Sequence, residues 1–360
     1  MVAPSHPRWG RVIGTYSLSS DVNGANLSLD SEITGVEAMK KISRLATDAD
    51  ASSWSDSGIN ISTLECALRL TQDPMQVQHL ANPPVVSGCI LLMKTTVGRT
   101  SGVASPFNYE FGYLCFRLLV ATLNACLLDI WNRVDEVLVR RDQFPHAAAH
   151  VLVSIEVSSA VHKQFENLQA TLLLRSEVET LLDILWEDRK LFLRAFMLDV
   201  PIASGLSGLL LLFARCVAPE RDSQQNPNGS TLKKKLYELA LLYYLVQDSS
   251  QIGLTLNVIS SNACYGDWIS TPKHVDAEDS RTIMTAFIKR LSECSDPVHL
   301  IMEDASMMLR FVPLAIDAQT QDLLPEVLKH SIEYGWLVLL AQENKDEIRL
   351  LVNTLLPSLV

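Results

Sequence analysis

Residues 111–131, FGYLCFRLLVATLNACLLDIW, form the stretch that most limits how this chain can fold. The stretch is apolar on nearly every side of a helix, and Arg117 and Asp129 are its only charged residues. A helix of that composition is stable when neighbouring segments cover it all round. We therefore predict that this helix lies at the centre of the fold.

Most of the chain from Ile59 onward also carries apolar residues at the spacing of an amphipathic helix. A capping box is predicted from Ser176 to Glu179, because both side chains can bond to backbone N–H groups of a first helical turn. Strand signals are poor, since no hairpin dipeptide separates alternating apolar runs. The fold is therefore predicted to be all-α. The apolar positions that support this prediction are Ile33, Val36, Met39, Ile42 and Leu45; Val178, Leu182, Leu185, Phe192 and Phe196; Leu232, Leu236, Leu239, Tyr243 and Val246, with Thr231 as N-cap; Ile283, Phe287, Leu291 and Cys294; and Ile348, Leu351, Val352 and Leu355.

The domain organisation follows from length and local composition. A chain of 360 residues exceeds the usual size of one compact core. Residues 1–30 are rich in Ser, Asn, Gly and Pro and are predicted to be a flexible arm. Residues 31–57 are predicted to hold a short helix and a polar linker. Residues 58–360 are predicted to form a helical, repeat-like domain, with 219–231 as the candidate break between lobes.

A glycine followed by a short apolar run recurs at Gly88, Gly208, Gly253 and Gly335, at intervals near multiples of about 40 to 45 residues. We expect each glycine to permit a tight turn and a close helix approach before a long helix. Residues 64–94 contain an amphipathic helix, an Asp-Pro break, a short helix and a long apolar helix, and they resemble an armadillo unit. This resemblance implies an irregular armadillo- or HEAT-like α-solenoid, and a two-lobed helical bundle is the alternative.

The peptide-binding armadillo pattern, which places Asn four residues after Trp, is missing from this chain. A role like that of a nuclear import receptor is therefore not implied. Residues 105–128, SPFNYEFGYLCFRLLVATLNACLL, also resemble uncharacterised helical proteins of filamentous fungi. That second resemblance implies no activity.

Charge and cysteine usage exclude several classes of protein. The net charge of −11 argues against a general nucleic-acid binder, which needs surplus Lys and Arg on one face. The compact basic runs, residues 233–235 and 140–141, are predicted to be solvated helix faces. The seven cysteines are scattered, never as CxxC, and are predicted to be small buried hydrophobes in a reducing compartment. They are Cys66, Cys89, Cys115, Cys126, Cys216, Cys264 and Cys294.

No secretory signal is visible at the N-terminus, which lacks an apolar core. Residues 200–214 are uncharged, but they are fewer than the roughly twenty apolar residues that span a bilayer, and they include Pro201, Gly205 and Gly208. This segment is predicted to be a buried helix. We expect no membrane span and a location in the cytoplasm or the nucleus.

His146 and His150, in the segment PHAAAH, are the pair that most resembles part of a metal site. On a helix they would lie one turn apart and could each offer a ring nitrogen to one ion. A stable site needs at least a third ligand. The same face continues with Val153, Ser154 and Val157, which are poor ligands. Both histidines are therefore predicted to be structural, and we predict neither a metal site nor another cofactor.

Other chemical motifs are incomplete. The acidic groups Glu187–Asp188 and residues 276–279 lack the DDxxD spacing of an aspartate-rich Mg²⁺ motif. Together with Arg189 and Lys190, the first group is predicted to be an exposed face of mixed charge. Asp276, Glu278 and Asp279 are predicted to precede a helix. Residues 205–208, GLSG, lack the spacing of a nucleophile elbow and are predicted to serve helix packing. Phosphate-binding loops are absent.

These observations favour a scaffold or adaptor that binds other proteins through a helical surface. Helical stacks offer large continuous surfaces to partners. With a net charge of −11, a protein with a basic face or a basic peptide is the expected partner. No catalytic residue is predicted. The alternative is an all-α enzyme whose site is assembled from residues distant in sequence.

Overall fold

The computed structural model describes part of the chain. The described residues are 5–12, 28–47, 58–97, 105–139, 148, 151–152, 172–188, 206–217, 232–233, 235–236, 239–240, 243, 281, 284–285, 288, 320–330 and 333. The chain divides into two compact units: Met1–Ala240 with Ser250–Asn262, and Leu241–Ser249 with Ala263–Val360. Residues 219–231, the predicted break, lie outside the described residues and within the first unit.

The described part of the chain is predominantly helical, which confirms the all-α prediction. A two-stranded antiparallel hairpin, β1 (Ser5–His6) and β2 (Gly10–Arg11), precedes the helices. Short 3₁₀ turns lie at Leu70–Gln72, Pro74–Gln76, Pro106–Asn108 and Gln321–Leu323. The helices are α1 (Leu29–Thr47), α2 (Ile61–Arg69), α3 (Val77–Leu80), α4 (Pro83–Thr96), α5 (Glu110–Ile130), α6 (Val134–Val139), α7 (Arg175–Glu187) and α8 (Ser207–Val217).

Helix α5 is the central helix of the first unit, as predicted. Of its 21 residues, 18 are buried, and it packs against α2, α3, α4 and α8. By length and composition α5 could cross a membrane, but 94% of its most apolar window is buried inside the fold. The cover supplied by the neighbouring helices accounts for the apolar character of α5.

Both ends of α5 have clear local causes. The helix begins directly after the 3₁₀ turn Pro106–Asn108, in which the buried Ser105 hydroxyl caps the Phe107 N–H (3.0 Å). It ends at Ile130, and Asn132, two residues further on, has a φ of 52° in the left-handed region. There the Arg133 N–H donates to the Leu128 carbonyl (2.9 Å), as in a Schellman motif. The turn before α5 sets the position of its first residue, Glu110.

Glycines mark the closest approaches between helices. Helix α1 packs on α2 and α4, and α5 packs on the same two helices. A Cβ added at Gly88 in α4 would lie 2.2 Å from the Ile42 carbonyl oxygen of α1, and one at Gly208 in α8 would lie 2.2 Å from Asn124 Oδ1 of α5. The expected close approach is confirmed at both positions, but the expected turn before the helix is wrong. Gly88 lies inside α4, and Gly208 is the second residue of α8.

The element order predicted for residues 64–94 is confirmed. An amphipathic helix (α2), a break at Asp73 and Pro74, a short helix (α3) and a long apolar helix (α4) follow one another. Gly253 and Gly335, the other members of the proposed repeat, lie outside the described residues.

The predicted capping box of α7 is wrong by two residues. The helix begins at Arg175, and the Leu174 N–H donates to Glu177 Oε2 (2.7 Å). Glu177, and not Glu179, therefore makes the side-chain bond back to the N-cap backbone. The Ser176 carbonyl already accepts from Thr180 Oγ1 within the helix (2.7 Å). The buried leucines at 172 and 173 anchor the chain just before this start.

The predicted apolar faces agree with burial where the structure describes them. A buried helix was predicted within residues 200–214. Helix α8, which begins at Ser207, confirms it for the part of that range that the helix covers. The predicted core positions found buried are Val178, Leu182, Leu185, Leu232, Leu236, Leu239 and Tyr243. Those outside the described residues are Phe192, Phe196, Thr231, Val246, Ile283, Phe287, Leu291, Cys294, Ile348, Leu351, Val352 and Leu355.

Helix α1 is confirmed, but its buried face differs from the predicted one. Its buried residues are Gly35, Ala38, Met39 and Ile42, whereas Ile33 is 50% exposed. A repeat of three drifts by about 60° per step around a helix of 3.6 residues per turn. Five positions spaced by three therefore cannot share one face.

The interpretation of residues 1–30 as a flexible arm is wrong for residues 5–12. These residues form the β1–β2 hairpin, and Trp9 is only 3% exposed. Local composition gives the wrong prediction here, because the hairpin is held by contacts with residues about a hundred positions away in the sequence. Residues 1–4 and 13–27 lie outside the described residues, as do 48–57 of the predicted linker.

In the second unit, the described residues include the turn Gln321–Leu323 and the helical residues 324–330. Met284 and Val327 are buried. Arg281 pairs with Asp322 through Nη2 and Oδ1 (3.0 Å), and both side chains are largely exposed.

Candidate functional site

The β1–β2 hairpin lies against the start of α5. The Phe111 N–H donates to the Trp9 carbonyl (3.1 Å), and Val12 forms an antiparallel bridge with Tyr109. Within the hairpin, His6 Nδ1 accepts the backbone N–H groups of Arg8 and Trp9 (3.2 Å each). Main-chain and side-chain bonds together hold the turn and its position on α5.

Trp9 is the apolar anchor of the hairpin. Its ring lies 5.1 Å from the ring of Phe111, in a tilted arrangement, and stacks with His6 at 6.0 Å. The Arg8 guanidinium lies 4.7 Å from the centre of the same ring. Aromatic pairs at such distances contribute about 0.5–1.5 kcal/mol beyond simple burial. Trp9 thus supplies much of the apolar contact between the β1–β2 hairpin and α5.

Arg11 and Glu110 form the polar contact of the hairpin with α5. Arg11 donates from Nη2 to Glu110 Oε1 (2.8 Å), and from Nε and its backbone N–H to Oε2 (3.2 Å each). The Glu110 side chain is 4% exposed, whereas that of Arg11 is 45% exposed. Glu110 is the first residue of α5, where the helix dipole favours negative charge. The carboxylate is therefore well placed to receive a cation.

A second carboxylate lies close to this pair. Burial, above all, raises the pKa of the Glu65 carboxyl, and the Glu110 carboxylate raises it further, while Arg69 and Arg11 lower it. Arg69 Nε is buried and has no hydrogen-bond partner among the described residues. We call the surface formed by Ile61, Glu65, Tyr109, Glu110 and Phe111 the Glu110 slot. Its two carboxylates come from helices far apart in the sequence.

A different surface lies on the outer side of α1. Leu29 is 70% exposed and Ile33 is 50% exposed, and they lie one helical turn apart. Asp30 and Glu37 are exposed on the same side of the helix. We call these four residues the α1 outer face. It combines exposed apolar area with two carboxylates, and Lys40 and Arg44 are exposed further along the same side of α1.

The structure brings together few of the sequence-predicted candidates. His146 and His150 lie outside the described residues, although Ala148, Val151 and Leu152 from the same stretch are helical and buried. Asp276, Glu278 and Asp279 also lie outside them. Among the residues that the structure describes, no group of three or more His, Cys, Asp or Glu could hold a metal ion.

The prediction of an exposed face at Glu187 and Asp188 is wrong for Asp188. Glu187 is exposed, but Asp188 is half-buried, at the end of α7. Burial raises the pKa of the Asp188 carboxyl, a hydrogen bond from Ser105 lowers it, and the neighbouring Glu187 carboxylate raises it. Asp188 thus links the end of α7 to the turn that precedes α5.

The basic run at residues 233–235 is not simply a solvated face. Lys235 pairs with Asp183 of α7 through Nζ and Oδ1 (2.6 Å), so one member of the run joins two segments of the first unit. Arg140 and Arg141 lie outside the described residues.

Three of the cysteines are buried hydrophobes, as predicted. Burial raises the pKa of the Cys89 and Cys115 thiols, and it raises that of Cys126 to about 12. Cys66 and Cys216 are half-buried. Cys264 and Cys294 lie outside the described residues. The buried thiols stay protonated at neutral pH, which makes them poor nucleophiles.

The Glu110 slot was not among the sites predicted from the sequence. An available signal was the Trp9-Gly10-Arg11 sequence, since Trp and Arg are uncommon in a segment otherwise rich in Ser, Gly and Asn. Comparison with protein-family models, curated proteins and solved structures gives no match. Functional conclusions therefore depend on the residues themselves.

Proposed function

We propose that this protein is a protein–protein interaction scaffold or adaptor, and that its partner presents a basic segment with apolar residues. The observation that carries the proposal is the α1 outer face, where Leu29 and Ile33 are exposed beside Asp30 and Glu37. Exposed apolar residues in a contiguous patch are typical of interaction sites. The acidic neighbours and the net charge of −11 favour a basic partner.

An amphipathic helix is the partner geometry that suits this face. Residues at i and i+4 offer an apolar strip to a second helix, and flanking carboxylates can pair with Lys or Arg at its edges. We propose that the helices of the scaffold form an irregular armadillo- or HEAT-like stack, with a two-lobed bundle as the alternative. The element order of residues 64–94 supports the stack. We also propose that the protein acts in the cytoplasm or the nucleus.

Affinity capture with matched variants tests this proposal. The full chain, the Leu29→Ser/Ile33→Ser variant and the Met75→Ser/Val139→Ser variant serve as baits. Met75 and Val139 are 70% and 82% exposed, so the control removes similar exposed apolar area elsewhere. We expect wild type and control to retain a common partner that Leu29→Ser/Ile33→Ser loses. Equal retention by all three baits would rule out the α1 outer face as the binding surface.

A second function, an all-α enzyme with a site assembled from distant residues, is favoured by one observation. Glu65 of α2 and Glu110 of α5 lie close together, and a carboxyl with a raised pKa is suited to general acid catalysis. Activity that is found in a substrate screen and lost in folded Glu65→Gln would favour this function. Activity unchanged in that variant would exclude Glu65 from such a role.

A further inference from the structure

We propose that the Glu110 slot is a binding site for a partner segment that carries the sequence Trp-Gly-Arg, and that residues 5–12 of this chain occupy it in cis. The proposal goes beyond the α1 outer face, because it concerns different residues and a different ligand. Either site can fail experimentally without the other.

Each residue of the Trp-Gly-Arg sequence meets a separate feature of the first unit. The Trp9 ring is buried against Phe111. Gly10 has a φ of +82°, and a Cβ there would lie 2.4 Å from Ile61 Cδ1 and 2.7 Å from Glu110 Oε2. Arg11 binds both oxygens of Glu110. An aromatic residue, a glycine and an arginine are thus each specified by shape or charge.

The main chain of the segment is also recognised. The Phe111 N–H donates to the Trp9 carbonyl, and Val12 bridges Tyr109 in antiparallel register. Strand-like pairing of this kind is a common mode of peptide binding, in which main-chain bonds supply affinity and side chains supply specificity.

Electrostatics favour arginine over other residues at this site. With Arg11 removed, the buried Glu110 carboxylate would lose three donors and would still face the Glu65 carboxyl. A guanidinium supplies two parallel N–H donors to one carboxylate, whereas an ammonium acts as a point charge. A partner's arginine would therefore replace Arg11, and a lysine would do so poorly.

The cis segment competes with the partner. A ligand that belongs to the same chain as its site has an effective concentration of about the millimolar range. The Arg11 side chain, 45% exposed, gives a competitor a place at which to begin displacement. The hairpin thereby sets a threshold, and a partner must bind well enough or be concentrated enough to displace it.

The test uses the full chain with Trp9→Ala/Arg11→Ala, which weakens the cis ligand and leaves the slot intact. The probe is the fluorescently labelled peptide SHPRWGRV, the sequence of residues 5–12, and binding is measured by fluorescence anisotropy. We expect saturable binding to this variant and at least about tenfold weaker binding to wild type, because the wild-type hairpin competes. Two altered peptides, one with Ala in place of Trp9 and one with Lys in place of Arg11, should each bind at least about tenfold more weakly.

Three outcomes would overturn the proposal. One is the absence of binding to a variant that melts cooperatively. Another is equal binding to wild type and variant, which would place the peptide elsewhere. The third is a stable wild-type dimer in light scattering that Trp9→Ala/Arg11→Ala abolishes, which would assign the slot to the hairpin of a second copy.

A second pair of variants keeps the test decisive if Trp9→Ala/Arg11→Ala does not fold. Arg11→Ala alone retains the Trp9 anchor and removes the guanidinium from the Glu110 carboxylate. We expect it to bind the peptide more tightly than wild type does. Arg11→Ala/Glu110→Gln should lose most of that gain, since the neutral amide offers a guanidinium one acceptor and no charge. Equal binding by these two variants would contradict the proposal.

Discussion

The Glu110 carboxylate accepts three hydrogen bonds from Arg11, a residue 99 positions earlier in the sequence. This contact joins the first described segment of the chain to the start of its central helix. Because of this contact, a segment whose composition is typical of disorder forms an ordered hairpin. The stability of the hairpin should accordingly depend on this pair.

Arg11→Ala should lower the free energy of unfolding by about 1–3 kcal/mol, because it leaves the buried Glu110 carboxylate without its cation. Arg11→Ala/Glu110→Gln should lose less than Arg11→Ala, since the buried charge of Glu110 is removed with its partner. Urea denaturation measures both. Arg175→Ala is the control, because its pair with Glu179 is exposed and contributes at most about 1 kcal/mol. Equal losses in Arg11→Ala and Arg175→Ala would show that the Glu110 contact is no stronger than a surface ion pair.

Glu65→Gln should stabilise the protein at pH 7. The folded state raises the pKa of Glu65 above its unfolded value, mainly through burial, so ionisation of this group costs the folded state stability. The protonated Glu65 carboxyl gives its full contribution to the stability of the wild type below the unfolded pKa of about 4.3. That contribution is lost as the pH rises through the higher folded pKa. Thermal melts should therefore show a higher Tm for the variant at pH 7 and converge near pH 4. A lower Tm for Glu65→Gln at pH 7 would mean that ionised Glu65 stabilises the fold.

Gly88→Ala should destabilise the first unit although alanine favours helices. Its Cβ would lie 2.2 Å from the Ile42 carbonyl oxygen, so α1 and α4 would have to move apart. Overpacking of this kind costs about 1–3 kcal/mol, against a gain of about 1 kcal/mol in helix propensity. Ser87→Ala, one residue earlier on α4, should change stability by no more than about 0.5 kcal/mol. Denaturant melts that place Gly88→Ala level with Ser87→Ala would contradict the close helix contact.

Alkylation should distinguish the cysteines. In the native protein Cys66 and Cys216, which are half-buried, should react with iodoacetamide before Cys89, Cys115 and Cys126. The latter three are buried, and burial raises the pKa of each thiol, so little thiolate is available. Peptide mapping by mass spectrometry gives the order of modification. Early modification of Cys115 would show that α5 is not covered as described.

The sequence predicts the centre of this fold well because the signal there is local and strong. Every turn of α5 is apolar, so its burial follows from composition alone. The close approach at Gly88 was also predictable, because a glycine within an apolar helix allows another backbone to come near. Its partner, Ile42, was not, since nothing in local sequence says which helix will pack there.

The Glu110 slot could not be predicted because its cause is tertiary. Residues 5–12 have the composition of a flexible arm, and only contacts with residues 109–111 make them a hairpin. The same applies to Asp188, which is half-buried because Ser105 and α7 meet in space. Sites assembled from separate segments leave little trace in periodicity or spacing.

Calorimetric titration of a partner captured through the α1 outer face tests whether this surface binds a basic segment. The purified partner is titrated into wild type, into Asp30→Asn/Glu37→Gln and, as a control, into Arg175→Ala. We expect binding to wild type and control that weakens as salt increases, and a Kd at least about tenfold higher for Asp30→Asn/Glu37→Gln, because the acidic residues attract a basic segment. The same Kd for all three proteins, independent of salt, would contradict the claim that this scaffold binds a basic partner through α1.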